Sequence, residues 1–336
     1  MLLIHLPAEL LLDIFALACN DARYTGCSLV AVSQHFRALC LNSGVDIRNV
    51  AVHGVDNMKK FVTMLEGRGR PSRRIKHLFL TDRAHSGGVH EVTATPAAIF
   101  TNNAAAFAGR ILRIISPHDL CTLSIVLPRQ RLATPASPSI LTYPFTSLTD
   151  LTLHGALDPP FFDACHPFPG LRRLHIAAYH QLPEDLGSVI SKMVPNLSHF
   201  KLTGIGGLSL SGNLLEVLQA YTNVDDSNEA SVIVQKLPPS IHTVIIGFAT
   251  LLQSAAIRSA GRQQISYLQM AQSINQLAEE HDLRSTDGRR LIVWPPPAMR
   301  SESDLQEVAQ ESYDKLRIEW EDGVAGRDTG WNDVWL

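Results

Sequence analysis

The sequence predicts an α/β protein: a small N-terminal helical module followed by an irregular solenoid of short parallel strands. Two observations carry this expectation. Apolar residues recur at helical spacing in the first forty residues, and a six-residue apolar pattern recurs between residues 75 and 294. A third observation sets the scale. With 336 residues, 45% of them hydrophobic and 18% charged, the chain can build a core shared by more than one unit.

The N-terminal segment reads MLLIHLPAELLLDIFALAC. Pro7 suits the first turn of a helix, where a missing N–H costs little, and Glu9 then lies near its positive end. Leu10, Ile14 and Leu17 recur at i, i+4 and i+7. Leu11 and Phe15 widen the stripe, and Leu6 and Leu12 add further apolar surface. Residues 20–27, NDARYTGC, read as a loop. SLVAVSQHFRALC at 28–40 reads as a second helix with Ser28 as its cap and Leu29, Val32, Phe36 and Leu39 as its stripe. So few short helices cannot bury so much apolar surface alone. The excess implies either a partner protein or docking onto the rest of the chain, and periodicity leaves both open.

LPAELLLDIF followed by SLVAVSQHFRAL resembles an F-box of the fungal type. The opening pattern is matched at Leu6, Pro7, Glu9, Leu10, Leu11, Ile14 and Phe15, and the second part at Leu29 and Val30. Val32 stands where that family often has cysteine and Phe36 where it often has tryptophan, with Arg37 following. The loop NDARYTGC departs from the family in lacking an Asp-Leu helix start. The resemblance spans about a tenth of the chain. It implies a non-catalytic substrate-recognition subunit of a cullin-type ubiquitin ligase. Leu6, Pro7, Leu10, Leu11, Ile14, Phe15, Leu29, Val30, Val32 and Phe36 would then bind a Skp-family adaptor, and the later region an unknown protein substrate.

Beyond residue 70 the pattern apolar-x-x-apolar-x-apolar recurs. It appears as IKHLFL (75–80), LCTLSI (120–125), LTDLTL (148–153), LRRLHI (171–176), LSHFKL (197–202), IHTVII (241–246) and, more weakly, RRLIVW (289–294). Its last two apolar positions alternate as a strand requires, and Pro/Gly turns precede several copies. The steps from 148 to 171 and from 171 to 197 are those of a repeat with one strand and one return segment per turn. The pattern resembles a degenerate leucine-rich repeat lacking most of its asparagines. The alternative is an ordinary α/β domain with a parallel sheet, since βαβ units also space apolar strands this way. The resemblance divides the chain into an F-box-like module (1–45), a linker or connecting helix (46–70), a leucine-rich-repeat-like domain (71–300) and a C-terminal helix with an acidic aromatic tail (301–336). An interaction scaffold capped by its N-terminal helices is the second functional reading.

In a solenoid Leu151, Leu153, Leu174, Ile176, Phe200 and Leu202 point inward. Thr152, His175 and Lys201 then line an open sheet face, flanked by Arg172, Arg173 and His199, and these six are the candidate substrate contacts. Helices are expected at 211–222, 265–283 and 301–316, and TPASPS at 134–139 reads as a loop. Trp320, Trp331 and Trp335, set among acidic residues, are read as sealing the last repeat, with direct substrate contact as the alternative.

Other chemistries find little support. Lys and Arg number 29 against 32 Asp and Glu, which argues against a general nucleic-acid binder. The one dense basic run, GRGRPSRRIKH at 67–77, reads as a solvated loop. No uninterrupted apolar stretch is long enough for a membrane span, and the N-terminus lacks the basic start of a signal peptide. Five cysteines without paired spacing suggest a reducing compartment, cytoplasmic or nuclear. The fourteen histidines form no HExxH, no zinc knuckle is present, and GxSxG is absent. No catalytic residue, metal or cofactor is therefore expected. GIGG at 204–207 lacks the Lys-Ser/Thr of a phosphate loop and reads as a turn.

Overall fold

Each apolar-x-x-apolar-x-apolar segment ends in a strand, and the connecting segments supply helices. The computed structural model describes residues 6–19, 25–83, 97–127, 143–155, 166–177, 185–205, 213–222, 236–250, 252–253, 257–285, 288–297, 300–301, 304–327 and 331. In chain order the elements are α1 (Ala8–Ala18), α2 (Thr25–Val32), α3 (Gln34–Ser43), β1 (Asn49–His53), α4 (Val55–Glu66), β2 (His77–Thr81), α5 (Ala97–Ile114), β3 (Thr122–Leu127) and β4 (Asp150–Gly155). There follow β5 (Arg173–Ala177), α6 (Leu186–Met193), β6 (His199–Ile205), α7 (Asn213–Thr222), β7 (Thr243–Phe248), α8 (Ile257–Arg284), β8 (Arg290–Trp294) and α9 (Leu305–Val324). Two-residue strands at Leu252–Gln253 and Arg300–Ser301 pair separately. The chain divides into two compact units, residues 1–148 with 314–336, and residues 149–313.

This is an alternating α/β fold whose strands follow chain order, β1 to β3 in the first unit and β4 to β8 in the second. Within the first unit β1, β2 and β3 pair in parallel, and within the second β4 to β8 do. The fold corrects the expectation of a leucine-rich-repeat-like solenoid in two ways. Strand starts fall at 49, 77, 122, 150, 173, 199, 243 and 290, so the steps run from 23 residues (150 to 173) to 47 (243 to 290). No common repeat length survives, and two of the wide steps hold full helices of 18 and 28 residues. Nor is the sheet open on one face. Leu78, Phe79, Leu80 and Thr81 are all buried along β2, as are all six residues of β7. Burial of successive residues means both faces are covered, the condition of a parallel sheet in an α/β fold rather than of an exposed strand ladder.

The N-terminal helices correct the F-box expectation as well. Leu11, Phe15, Phe36, Cys40 and Val45 form their core, with Leu6, Leu12, Leu29, Val30 and Leu39 packed around it. The rings of Phe15 and Phe36 meet edge-to-face at 4.8 Å. That core runs straight into the start of the sheet. Gly26 in α2 lies so close to Asp46 that a Cβ there would sit 2.2 Å from the Asp46 carbonyl oxygen. The Asp46 carboxylate takes a bidentate pair from Arg68, with Nη1 at 2.9 Å from Oδ1. At β1, Asn49 Nδ2 donates to the Cys19 carbonyl. The helices are thus the opening of an α/β unit and not a separate adaptor-binding module. The topology does not match a Skp-binding F-box module joined to a repeat domain, and it gives no basis for the ubiquitin-ligase role. Strand β1 and helix α4 occupy the segment expected as a linker or connecting helix, 46–70.

Smaller expectations shift for local reasons. SLVAVSQHFRALC is two helices, because Ser33 is fully extended (φ −158°, ψ 162°) and its Oγ caps α3 by accepting from Phe36 N–H at 3.1 Å. Ser28 consequently lies inside α2 instead of capping it. The basic run is solvated at Arg70 and Arg74, as expected, but anchored at Arg68 and Arg73. Arg68 pairs with Asp46, and Arg73 donates to the carbonyls of Arg68 and Glu66. Trp320 lies in α9, buried, with its ring 5.5 Å from Phe79 of β2. The expected TPASPS loop, residues 20–24, Gly206, Gly207 and Trp335 lie outside the described residues.

Two predictions follow from this packing. Gly26→Ala forces a methyl against a backbone carbonyl that cannot swing away. It should cost about 3 kcal/mol, the upper end of ordinary overpacking, read as a lower urea midpoint. The second concerns His77, at the start of β2, whose Nδ1 lies 2.9 Å from Thr122 Oγ1. Burial, then Lys76 and Arg48, push its pKa down from 6.5 to about 4. Between those values the unfolded chain binds more proton than the folded one. The His77 contribution is therefore complete above about pH 6.5 and is lost as pH falls toward about 4. Urea titrations across that window should show the decline, and His77→Gln should reduce it.

Candidate functional site

Helix α1 has two sides of unlike fate. Leu11 and Phe15 turn into the core, whereas Leu10 is 50% exposed, Ile14 42% and Leu17 71%. Spacing of four and three residues puts these three on one helical face. Glu9 and Asp13 are exposed beside them, and α1 has no basic residue. On α2, Val32 is also strongly exposed. Solvated leucine and isoleucine side chains in a row give α1 an apolar stripe with an acidic border.

Of the ten residues expected to contact an adaptor, only Leu10, Ile14, Val32 and Pro7 are exposed. Leu11, Phe15 and Phe36 are buried, and Leu6, Leu29 and Val30 are half-buried against them. The sequence pattern had merged two roles, because a broad stripe cannot reveal which part of it meets the chain's own core.

The six expected substrate contacts also divide. His175 and Lys201 are buried and Thr152 half-buried, so no open sheet face exists at these positions. His175 and Lys201 are direct cross-strand partners. His175 Nε2 lies 2.8 Å from Thr203 Oγ1, and Lys201 Nζ lies 4.9 Å from the centre of the Trp294 ring. The aromatic face offers the buried ammonium part of what water would have supplied. Gly247 makes room for this stack. A Cβ there would lie 2.9 Å from Trp294 Cε3 and 3.1 Å from Thr203 Cγ2.

Arg172, Arg173 and His199 stand elsewhere, where β5 and β6 begin. Arg172 is exposed and the other two are half-buried. Arg173 is ion-paired with Asp150. Burial, then Arg173 and His242, depress the His199 pKa, opposed by Asp150. His242, Arg289 and Arg290, not among the expected contacts, occupy the same positions on the next strands. The signal was present in the two x positions of each motif copy: Arg-Arg in LRRLHI, Ser-His in LSHFKL, and a His in IHTVII.

A groove of about 480 Å³ runs along α8, lined by Leu268, Gln272, Asn275, Glu279 and Pro296 among others. Its lining has a single carboxylate and no histidine, cysteine or serine, so it brings no nucleophile and base together. Among the described residues no group of three or more His, Cys, Asp or Glu assembles, and no helix is long and apolar enough to cross a membrane. No protein-family model matches this chain, and no curated protein matches it either.

Gly247→Ala should displace the Trp294 ring from Lys201. We expect a loss of about 1–3 kcal/mol on chemical denaturation, together with a shift in tryptophan emission.

Proposed function

We propose that this is a non-catalytic protein-binding protein that docks a partner through the exposed apolar face of α1. The observation that carries the reading is the row Leu10, Ile14 and Leu17, which stays solvated while Leu11 and Phe15 of the same helix are buried. Removing such a row from water favours association, and large side chains at the centre of an interface contribute most of its energy. Glu9 and Asp13 along the row favour a partner whose apolar groove has a basic rim. A cytoplasmic or nuclear setting belongs to the same proposal.

The test uses a photo-crosslinking residue at position 17 in the full chain, expressed in its native cells. A discrete adduct with another protein is expected. It should disappear in Leu10→Ser/Ile14→Ser, whose stability should change by no more than about 0.5 kcal/mol because both side chains are at the surface. By contrast, Leu11→Ala should cost about 2–5 kcal/mol, since it empties the core side of the helix. Adducts only with other copies of this chain, or adducts that survive the double substitution, would overturn the reading.

A further inference from the structure

In a parallel sheet every strand begins at the same edge, so the residues just before and at the strand starts form rows across it. In the second unit one row is Arg172, Ser198, His242 and Arg289. The backbone holds it together, with Ser198 N donating to Arg172 O at 2.9 Å and His242 N to Ser198 O at 2.8 Å. Arg290 N then donates to His242 O at 2.8 Å, which brings β8 into the same edge. The adjoining row, set by strand register, is Asp150, Arg173, His199, Thr243 and Arg290. Together the rows hold four arginines and two histidines against one carboxylate, and that carboxylate is taken up by Arg173 and by the Thr149 hydroxyl.

Arg172, His242 and Arg290 are exposed. Two of the arginines are also steadied. Arg172 Nη1 donates to Asn196 O at 3.1 Å, and the Arg289 guanidinium lies 5.7 Å from the Tyr221 ring centre. A fork fixed by one such contact loses less freedom when its other N–H groups meet a carboxylate. With neighbouring strands about 4.8 Å apart, β5 to β8 span roughly 14 Å.

We propose that this strand-start edge binds an extended, acidic segment of a partner protein, with Arg172, His242 and Arg290 as its principal contacts. The dimensions suit that ligand. Side chains on one side of an extended peptide recur about every 7 Å, so two or three carboxylates match the ridge. A nucleic acid suits it less. The two rows contain no Phe, Tyr or Trp on which a base could stack. This inference is independent of the α1 docking face.

The experiment measures fluorescence anisotropy of labelled hexaglutamate with the full chain, against hexaglutamine and a twelve-residue oligothymidylate. Hexaglutamate should bind, more weakly as salt rises, and hexaglutamine should not. Arg172→Gln/Arg290→Gln should weaken hexaglutamate binding at least tenfold with an unchanged urea midpoint, and His242→Glu, made separately, should weaken it as well. Arg70→Gln/Arg74→Gln, exposed in the first unit, should leave it unaltered. Absence of hexaglutamate binding, equal loss in the Arg70/Arg74 variant, no loss in either edge variant, or tighter binding of oligothymidylate would each overturn the proposal.

Discussion

A parallel sheet satisfies its backbone N–H and C=O groups between strands, and its side chains must then find cover on both faces. That requirement governs this molecule. It explains why β7 reads Thr-Val-Ile-Ile-Gly-Phe without polar alternation and why β2 buries four residues in succession. It also explains why polar residues that do enter the sheet carry partners with them. His175 brings Thr203, and Lys201 brings the Trp294 ring for which Gly247 leaves space. The two proposed binding surfaces accordingly lie away from the faces of the sheet, one at the strand starts of the second unit and one on a helix that precedes the first strand.

Local structure was legible in the sequence to the extent that it is local. All seven copies of the apolar motif coincide with strands, because the alternation of side chains is a property of the strand itself. Strand β1 was overlooked although Ile47, Val50 and Val52 repeat the same pattern; a resemblance confined to the preceding residues had set a boundary there. Helix α8 extends well before residue 265, where its apolar spacing first becomes clear.

Tertiary cover was not legible. Thr-His-Lys at alternate strand positions looks like a solvated face, and nothing in those strands alone says that residues distant in sequence will bury it. The same limit applies to α1. Ile14 and Phe15 are adjacent and both apolar, yet Phe15 is fixed by Phe36 and Ile14 meets solvent. Charge left a trace in the motif that periodicity alone does not interpret. Arg172, Arg173 and His199 stand at the strand starts because they fill the spacer positions of the motif, as His242 does in the next copy, and strand register sets Arg290 opposite Thr243.

The first unit is assembled from both ends of the chain, with Trp320 of α9 resting against Phe79 of β2. On the ribosome these two rings are made far apart in time. At about 5–20 residues per second, the interval between them is roughly 10–50 s. Throughout it, the nascent β2 must present an aromatic surface without its final cover, while the entire second unit emerges and has time to fold. Completion of the earlier-made unit thus waits on a segment made much later, and a product terminated before it would lack the Trp320 ring that packs on Phe79.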